Sequence, residues 1–256
     1  MTTVTENPTK EQINKAKQLI IDDLFVDFPF ASQADRAGAV GALLLPFVRH
    51  HIEGPTPLHL LESSTTGTGK TLLCKLIHIA ATGLLLPGCM LPQNSGEARR
   101  LITAILHEKP PLFLFDNFDY CTIHNEVLVD IGTSDVWRHH PNDDHSKTVT
   151  LPNQVLWFIA GNNPRLSPEL ERCCFRVRLE PKMKRPWLRT GFKHNLITQW
   201  ATDNREALVH TVDTLVQAWI AAGQPKGKQT LKSFDAWAEV IGGILDVTEI
   251  EGFLAR

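Results

Sequence analysis

No stretch of the sequence approaches the ~20 consecutive apolar residues of a membrane-spanning helix. The opening MTTVTENPTKEQ also lacks the apolar core of a signal peptide. A soluble, reduced, cytoplasmic protein with no membrane partner is the expectation. Charge of one sign is missing too: 26 Lys and Arg stand against 28 Asp and Glu, a formal net charge of −2. That balance argues against a generally basic protein that coats nucleic acid, and leaves room for a local basic loop. The five cysteines (Cys74, Cys89, Cys121, Cys173, Cys174) have neither zinc-ligand spacing nor the look of a disulfide framework. Cys74 and Cys174 are expected to pack as small apolar residues. There is no internal repeat. With 43% hydrophobic and 21% charged residues the composition argues against disorder, and 256 residues suffice for an α/β domain with a smaller companion.

What is present centres on LHLLESSTTGTGKTLLCKLIHI, Leu58 to Ile79. A short apolar run leads into a loop of small residues, followed by Lys70, Thr71 and apolar residues at helical spacing. Strand, glycine-rich loop and helix in that order are the context a phosphate-binding loop requires. Backbone N–H groups of Ser64, Thr65, Thr66, Gly67, Thr68 and Gly69 would turn inward on phosphates, helped by the positive end of the helix. Lys70 can reach the β- and γ-phosphates, and the Thr71 hydroxyl can bind Mg²⁺. The usual pattern begins with glycine where this chain has Ser64.

Upstream, Lys10 to Leu24 has a helical rhythm broken at Pro29, and Ser32 is placed to cap a second helix from Ala34 towards Phe47. Downstream, Asn94 or Ser95 should cap a helix over Glu97 to His107. Leu112 to Phe115 reads as a strand buried on both faces and ends in Asp116, a candidate Mg²⁺ ligand beside the loop. Asn117 follows, where many such ATPases carry the Glu that orients the attacking water. Either another carboxylate serves, Asp119 being nearest, or hydrolysis is slow. Ile123 to Ile131 should form a helix stopped at Gly132. Residues 137–151 suggest a hairpin with Asn142-Asp143-Asp144 at its tip and Lys147 to Leu151 returning.

Val155 to Ala160 reads as another buried strand, ending at Asn162 and Asn163, either of whose amides could meet the γ-phosphate or attacking water. Ser167 should cap a short helix, and Phe175, Val177 and Leu179 alternate with Arg176 and Arg178 in a strand. A linker, PKMKRPWLR, precedes two further helices, one over Arg205 to Ala222 capped by Asn204 and one over Phe234 to Leu245 capped by Ser233.

Taken together, ESSTTGTGKT, LFLFDNFD and WFIAGNNPRLSPELERCCFRVRLEP resemble the AAA+ ATPase module of phage and mobile-element DNA primase–helicase proteins, related to superfamily 3 helicases. The resemblance runs from about Asp27 onward. It implies a P-loop NTPase αβα sandwich with a parallel sheet, a helical N-terminal lead-in (1–50), an ATPase core (51–182) and a small C-terminal helical lid (183–256). It also implies ATP and Mg²⁺ as ligands, a homo-oligomer assembled as a hexameric ring, DNA as substrate and a primase or replication protein as partner. On this basis Lys70, Asp116, Asn117, Asn162 or Asn163 belong to the catalytic centre. Arg172, or alternatively Arg165, would reach a neighbour's γ-phosphate, and Arg205 would touch phosphate within its own subunit. His139, His140 and Lys147 are candidates for a DNA-facing pore loop. An AAA+ switch acting on a protein, or a scaffold that holds ATP with little turnover, are the competing functions.

Overall fold

The computed structural model describes residues 6–86, 88–140 and 148–255. Helix α1 (Lys10–Gln18) starts in a capping box, in which Thr9 and Gln12 satisfy each other's backbone N–H. It runs straight into a π-helical turn over Leu19–Leu24. Helix α2 (Gln33–Val48) is capped by Ser32 as expected, and Pro46 lies within its last turn. Then come β1 (Leu58–Ser63), α3 (Lys70–Thr82), the two-residue β2 (Gly88–Cys89), α4 (Ser95–Glu108, capped by Asn94) and β3 (Leu112–Phe115). The middle of the chain adds β4 (Thr122–Ile123), α5 (Glu126–Thr133), β5 (Val136–His139), β6 (Val149–Pro152) and β7 (Leu156–Asn162). It closes with β8 (Arg165–Leu166), α6 (Pro168–Glu171) and β9 (Cys174–Leu179). Helices α7 (Ile197–Asp203), α8 (Arg205–Ala221) and α9 (Asp235–Val247) complete it.

The protein is a mixed α/β fold around a five-stranded parallel sheet in the order β2-β3-β7-β1-β9. Its three central strands, β1, β3 and β7, are buried on both faces, and successive side chains serve opposite cores, as the two-residue period of a strand demands. Leu61, Leu112, Leu114, Phe158 and Ala160 join the core formed with α2, α3, α8 and α9. Leu58, Leu60, Phe113, Phe115, Trp157 and Ile159 join the core under α4 and α5, where the Phe115 and Trp157 rings stack 5.7 Å apart. His59 sits deep in the sheet, fully buried with Nδ1 2.9 Å from the Pro57 carbonyl. Burial pulls it down to about 4, so the ring is neutral.

Several local expectations fail for physical reasons. The predicted helix from Ile123 begins only at Glu126, because the Asn125 side chain caps Val127 and Leu128 while Thr122–Ile123 pairs with β8 as a separate small sheet. That helix runs through Gly132 to Thr133 rather than stopping there. Neither Asn204 nor Ser233 caps a helix with its side chain; the Asn204 amide instead donates to the Trp200 carbonyl, and Ser233 is left-handed. The edge strand β2 and helix α7 carry no periodic signal long enough to read. The hairpin of β5 and β6 is antiparallel as expected, with His139 opposite Val149. Its predicted tip, including Lys147, lies outside the described residues.

Candidate functional site

Strand β1 lies between β7 and β9, and the chain leaves it for the far edge of the sheet. The loop after β1 therefore opens at a switch point at the carboxyl ends of the strands, where such sheets form their clefts. Gly67 (φ 73°) and Gly69 (φ 100°) take left-handed backbone that other residues avoid. Ser64 is not among the residues with positive φ, which is why serine is tolerated at the position where glycine is usual; its hydroxyl donates to Glu180. That bond, with Arg178 adding to it, holds the Glu180 carboxyl below the usual range.

Lys70 is only 8% exposed at the first turn of α3. Its ammonium donates to Ser63 Oγ (2.7 Å) and Asn162 Oδ1 (2.7 Å), with Thr68 Oγ1 at 3.4 Å. Burial pulls its pKa down, and the carboxylates of Asp119 and Asp116 push it back up. Beside it, Thr71 Oγ1 donates to Asp116 Oδ2 at 2.7 Å, so two residues 45 positions apart meet at one point. The other Asp116 oxygen accepts the Asn117 N–H. A hydroxyl and a carboxylate are hard oxygen donors, and Mg²⁺ is commonly held by one or two carboxylates together with substrate phosphates. Among the described residues no group of three or more His, Cys, Asp and Glu could hold a metal by itself. The donor set thus fits Mg²⁺ arriving with a phosphate chain.

Asn162 is buried at the end of β7 and faces Lys70 with its carbonyl oxygen, while its amide nitrogen donates to Asp119. One of its two amide N–H groups is therefore engaged by Asp119. Asn163 is exposed and left-handed, and its amide reaches the Ser64 carbonyl at 3.3 Å. Asn117 is exposed and left-handed as well (φ 73°).

A cleft of about 490 Å³ continues from the loop. It is lined by Gly67, Gly69 and Leu72, by Phe28 and Phe30 of the lead-in, and by Met183, Phe192 and Ile197. The Phe28 ring lies over Gly69, and Trp187 over Gly67. Its size is within the range of small-molecule sites. The segment that closes it is tied to the lead-in by Arg189 on Asp27 (3.1 Å) and Lys193 on Asp23 (2.7 Å).

The arginines do not converge on the loop. Arg205 sits at the opposite end of α3, donating to the Ile79 and Ala81 carbonyls. Thirteen residues at ~1.5 Å each put about 20 Å between it and the loop, so the expected phosphate contact within the subunit is not made. Arg172 is exposed after α6, next to Cys173, whose carbonyl accepts from the first residue of β1. That is the far end of the strand, about 20 Å from the loop at ~3.3 Å per residue. Arg165 is exposed on β8. His139 and His140 stand at the described end of the hairpin, and burial, then the nearby Arg99, pulls His139 down.

Sequence reasoning missed Ser63, Glu62, Tyr120 and the walls of the cleft. Glu62, 7% exposed, pairs with Arg176 (2.6 Å) and Arg178 (3.4 Å) on neighbouring β9. A carboxylate at the end of the apolar run of β1, against a strand with arginines on one face, was the available signal.

No family model matches the sequence, and no curated protein matches it. Among solved structures the chain is similar to the apo C-terminal region of NrS-1, at 13% identity and a TM-score of 0.49, over 94% of this chain and 51% of that one. A second apo structure of that region gives 13%, 0.45, 80% and 46%. The JCV helicase bound to a thiazolopyridinyl-phenoxyphenyl acetamide gives 12%, 0.34, 94% and 67%. The chain thus spans about half the length of the NrS-1 region. At such identities and scores the functional reading rests on the site's own residues.

Proposed function

We propose that the chain binds ATP with Mg²⁺ and hydrolyses it as an AAA+-type motor, acting as a DNA helicase or translocase of a phage or mobile element. One observation carries the reading: Lys70, Thr71 and Asp116 meet at the mouth of a loop whose two glycines are left-handed, beside a cleft walled by Phe28 and Phe30. The loop N–H groups and Lys70 would hold the phosphates, and the cleft would take the base. Thr71 and Asp116 would hold Mg²⁺, which neutralises charge on the phosphates during transfer. Arg172 is too far from its own loop to help, so a catalytic role for it requires the loop of a second copy. Assembly as a ring, of six by the resemblance, supplies that copy. The β5–β6 hairpin with His139 and His140 is the surface offered to DNA, with Lys147 beside it in sequence.

Asn117 favours a second reading. It cannot accept a proton, and its side chain stands where a water-orienting Glu is usual, which fits a slow switch that loads or remodels a protein partner or a scaffold that holds ATP.

Phosphate release from Mg-ATP, with and without single-stranded DNA, tests both. Release that rises with DNA and vanishes in Lys70→Ala and Arg172→Ala supports the motor. Binding without release above the Lys70→Ala background supports the switch.

A further inference from the structure

Residues 117–120 are held in an unusual course. Asn117 (φ 73°) and Tyr120 (φ 51°) are both left-handed; asparagine tolerates that region, but tyrosine is held there by its surroundings. The imposing contacts are with β7: Phe118 N–H donates to Ala160 (3.1 Å), and Tyr120 N–H to Asn162 (2.7 Å). The approach is so close that a Cβ on Gly161 would lie 2.0 Å from the Phe118 carbonyl oxygen. Tyr120 Oη also donates to the Ser64 carbonyl at 3.2 Å, tying the segment to the loop.

The result of that course is the placement of Asp119. Its Oδ1 accepts both the backbone N–H of Asn162 (2.9 Å) and the side-chain Nδ2 (2.7 Å). On the other side of the same amide stands Lys70. An ammonium only donates and a carboxylate only accepts, so the amide has one orientation available: nitrogen to Asp119, oxygen to Lys70. Ser63 Oγ also lies 2.9 Å from that oxygen, its one proton shared with the closer Thr65 carbonyl at 2.6 Å. Two of the three Lys70 N–H groups are thereby directed by Ser63 and Asn162, and the third faces the loop, where Thr68 Oγ1 lies at 3.4 Å.

We propose that Asp119 is a positioning residue for ATP turnover, acting through Asn162 to aim the Lys70 ammonium. It does not itself exchange a proton with water or substrate. This rests on the nucleotide reading of the site and names the residue that sets its geometry. Removing Asp119 leaves Lys70 and the loop in place, so nucleotide still binds. The amide is then free to rotate, and an ammonium aimed loosely binds charge in the ground state better than it stabilises the transition state.

The test is steady-state phosphate release together with direct Mg-ATP binding, for wild type, Asp119→Ala, Asp119→Asn, Asn162→Ala and the double Asp119→Ala/Asn162→Ala. Asp119→Ala should lower kcat about tenfold with KM and Kd for Mg-ATP within about threefold of wild type. Asp119→Asn should stay within about threefold in kcat, because its carbonyl still accepts both N–H groups. The double variant should lose no more than Asn162→Ala alone, since both act on one amide. Additive losses, an unchanged kcat in Asp119→Ala, or an Asp119→Asn as slow as Asp119→Ala would each overturn the role; the last would make the carboxylate a base. A lowered Tm with kcat per folded molecule unchanged also overturns it; if Asp119→Ala does not fold, Asn162→Ala removes the same amide, and an unchanged kcat there overturns the role. A wild type that neither binds nor turns over Mg-ATP overturns the parent reading instead.

Discussion

The two ends of helix α3 are built from similar parts and are opposite in character. Each is bounded by a left-handed glycine, Gly69 (φ 100°) before it and Gly83 (φ 76°) after it. At the C-terminal end the Gly83 N–H donates to Ile79, and Arg205 lays its guanidinium on the Ile79 and Ala81 carbonyls. The negative end of the helix is thereby closed by a cation. At the N-terminal end no side chain caps the helix, and Lys70 adds positive charge where the helix is already positive. Cation on negative end is a stabilising arrangement complete in itself. Cation on positive end is unfavourable unless anions are near; the carboxylates of Asp116 and Asp119 supply two, and the phosphates of the proposed nucleotide would supply more.

The sharpest way to break that contrast is Lys70→Ala. It removes a buried cation aimed at the proposed phosphates, and affinity for Mg-ATP should fall on the order of 100-fold, about 3 kcal/mol, read by calorimetry. Its Tm should stay near that of wild type; nucleotide binding at wild-type strength would leave the two ends equivalent. Asp116→Ala comes next. Affinity for ATP should drop about tenfold in Mg²⁺ and lose its dependence on the metal, so titrations with and without chelator should coincide.

Gly69→Ala and Gly83→Ala make a matched pair. Both force a side chain into left-handed backbone, and both should lower stability by about 1–2 kcal/mol in urea unfolding. The added Cβ would meet the Phe28 ring at 3.2 Å in the first and the Arg205 side chain at 3.0 Å in the second. Only Gly69→Ala should weaken ATP binding; equal losses from both would mean that the loop acts through stability alone. The smallest effect belongs to Arg205→Ala, which should lower stability by about 1 kcal/mol and leave ATP affinity unchanged. A drop in affinity there would return Arg205 to the nucleotide site.

The elements with a long or unbroken signal were legible. The apolar run of β3, the two-sided apolar β7 and the Gly-Lys-Thr turn into α3 name themselves, because strand burial and helix entry impose local composition. The Asp116 to Thr71 contact was legible in kind, as a carboxylate at a strand end beside a phosphate loop. The cleft was not, since Phe28 and Met183 come from segments more than 150 residues apart that only packing brings together. Arg205 misled for a related reason: a cation heading a helix reads the same whether it faces a phosphate or the end of another helix.

The sequence by itself determined the strand–loop–helix turn, the two-faced burial of the central strands and the residue types able to hold a phosphate and a divalent cation. Those follow from backbone sterics and side-chain period, which act over a few residues. Tertiary structure alone decided which way the Asn162 amide points, that the Asp119 carboxylate meets it, and that Arg205 closes the far end of α3. Each depends on donors and acceptors tens of residues apart, and only the finished packing settles which of them meet.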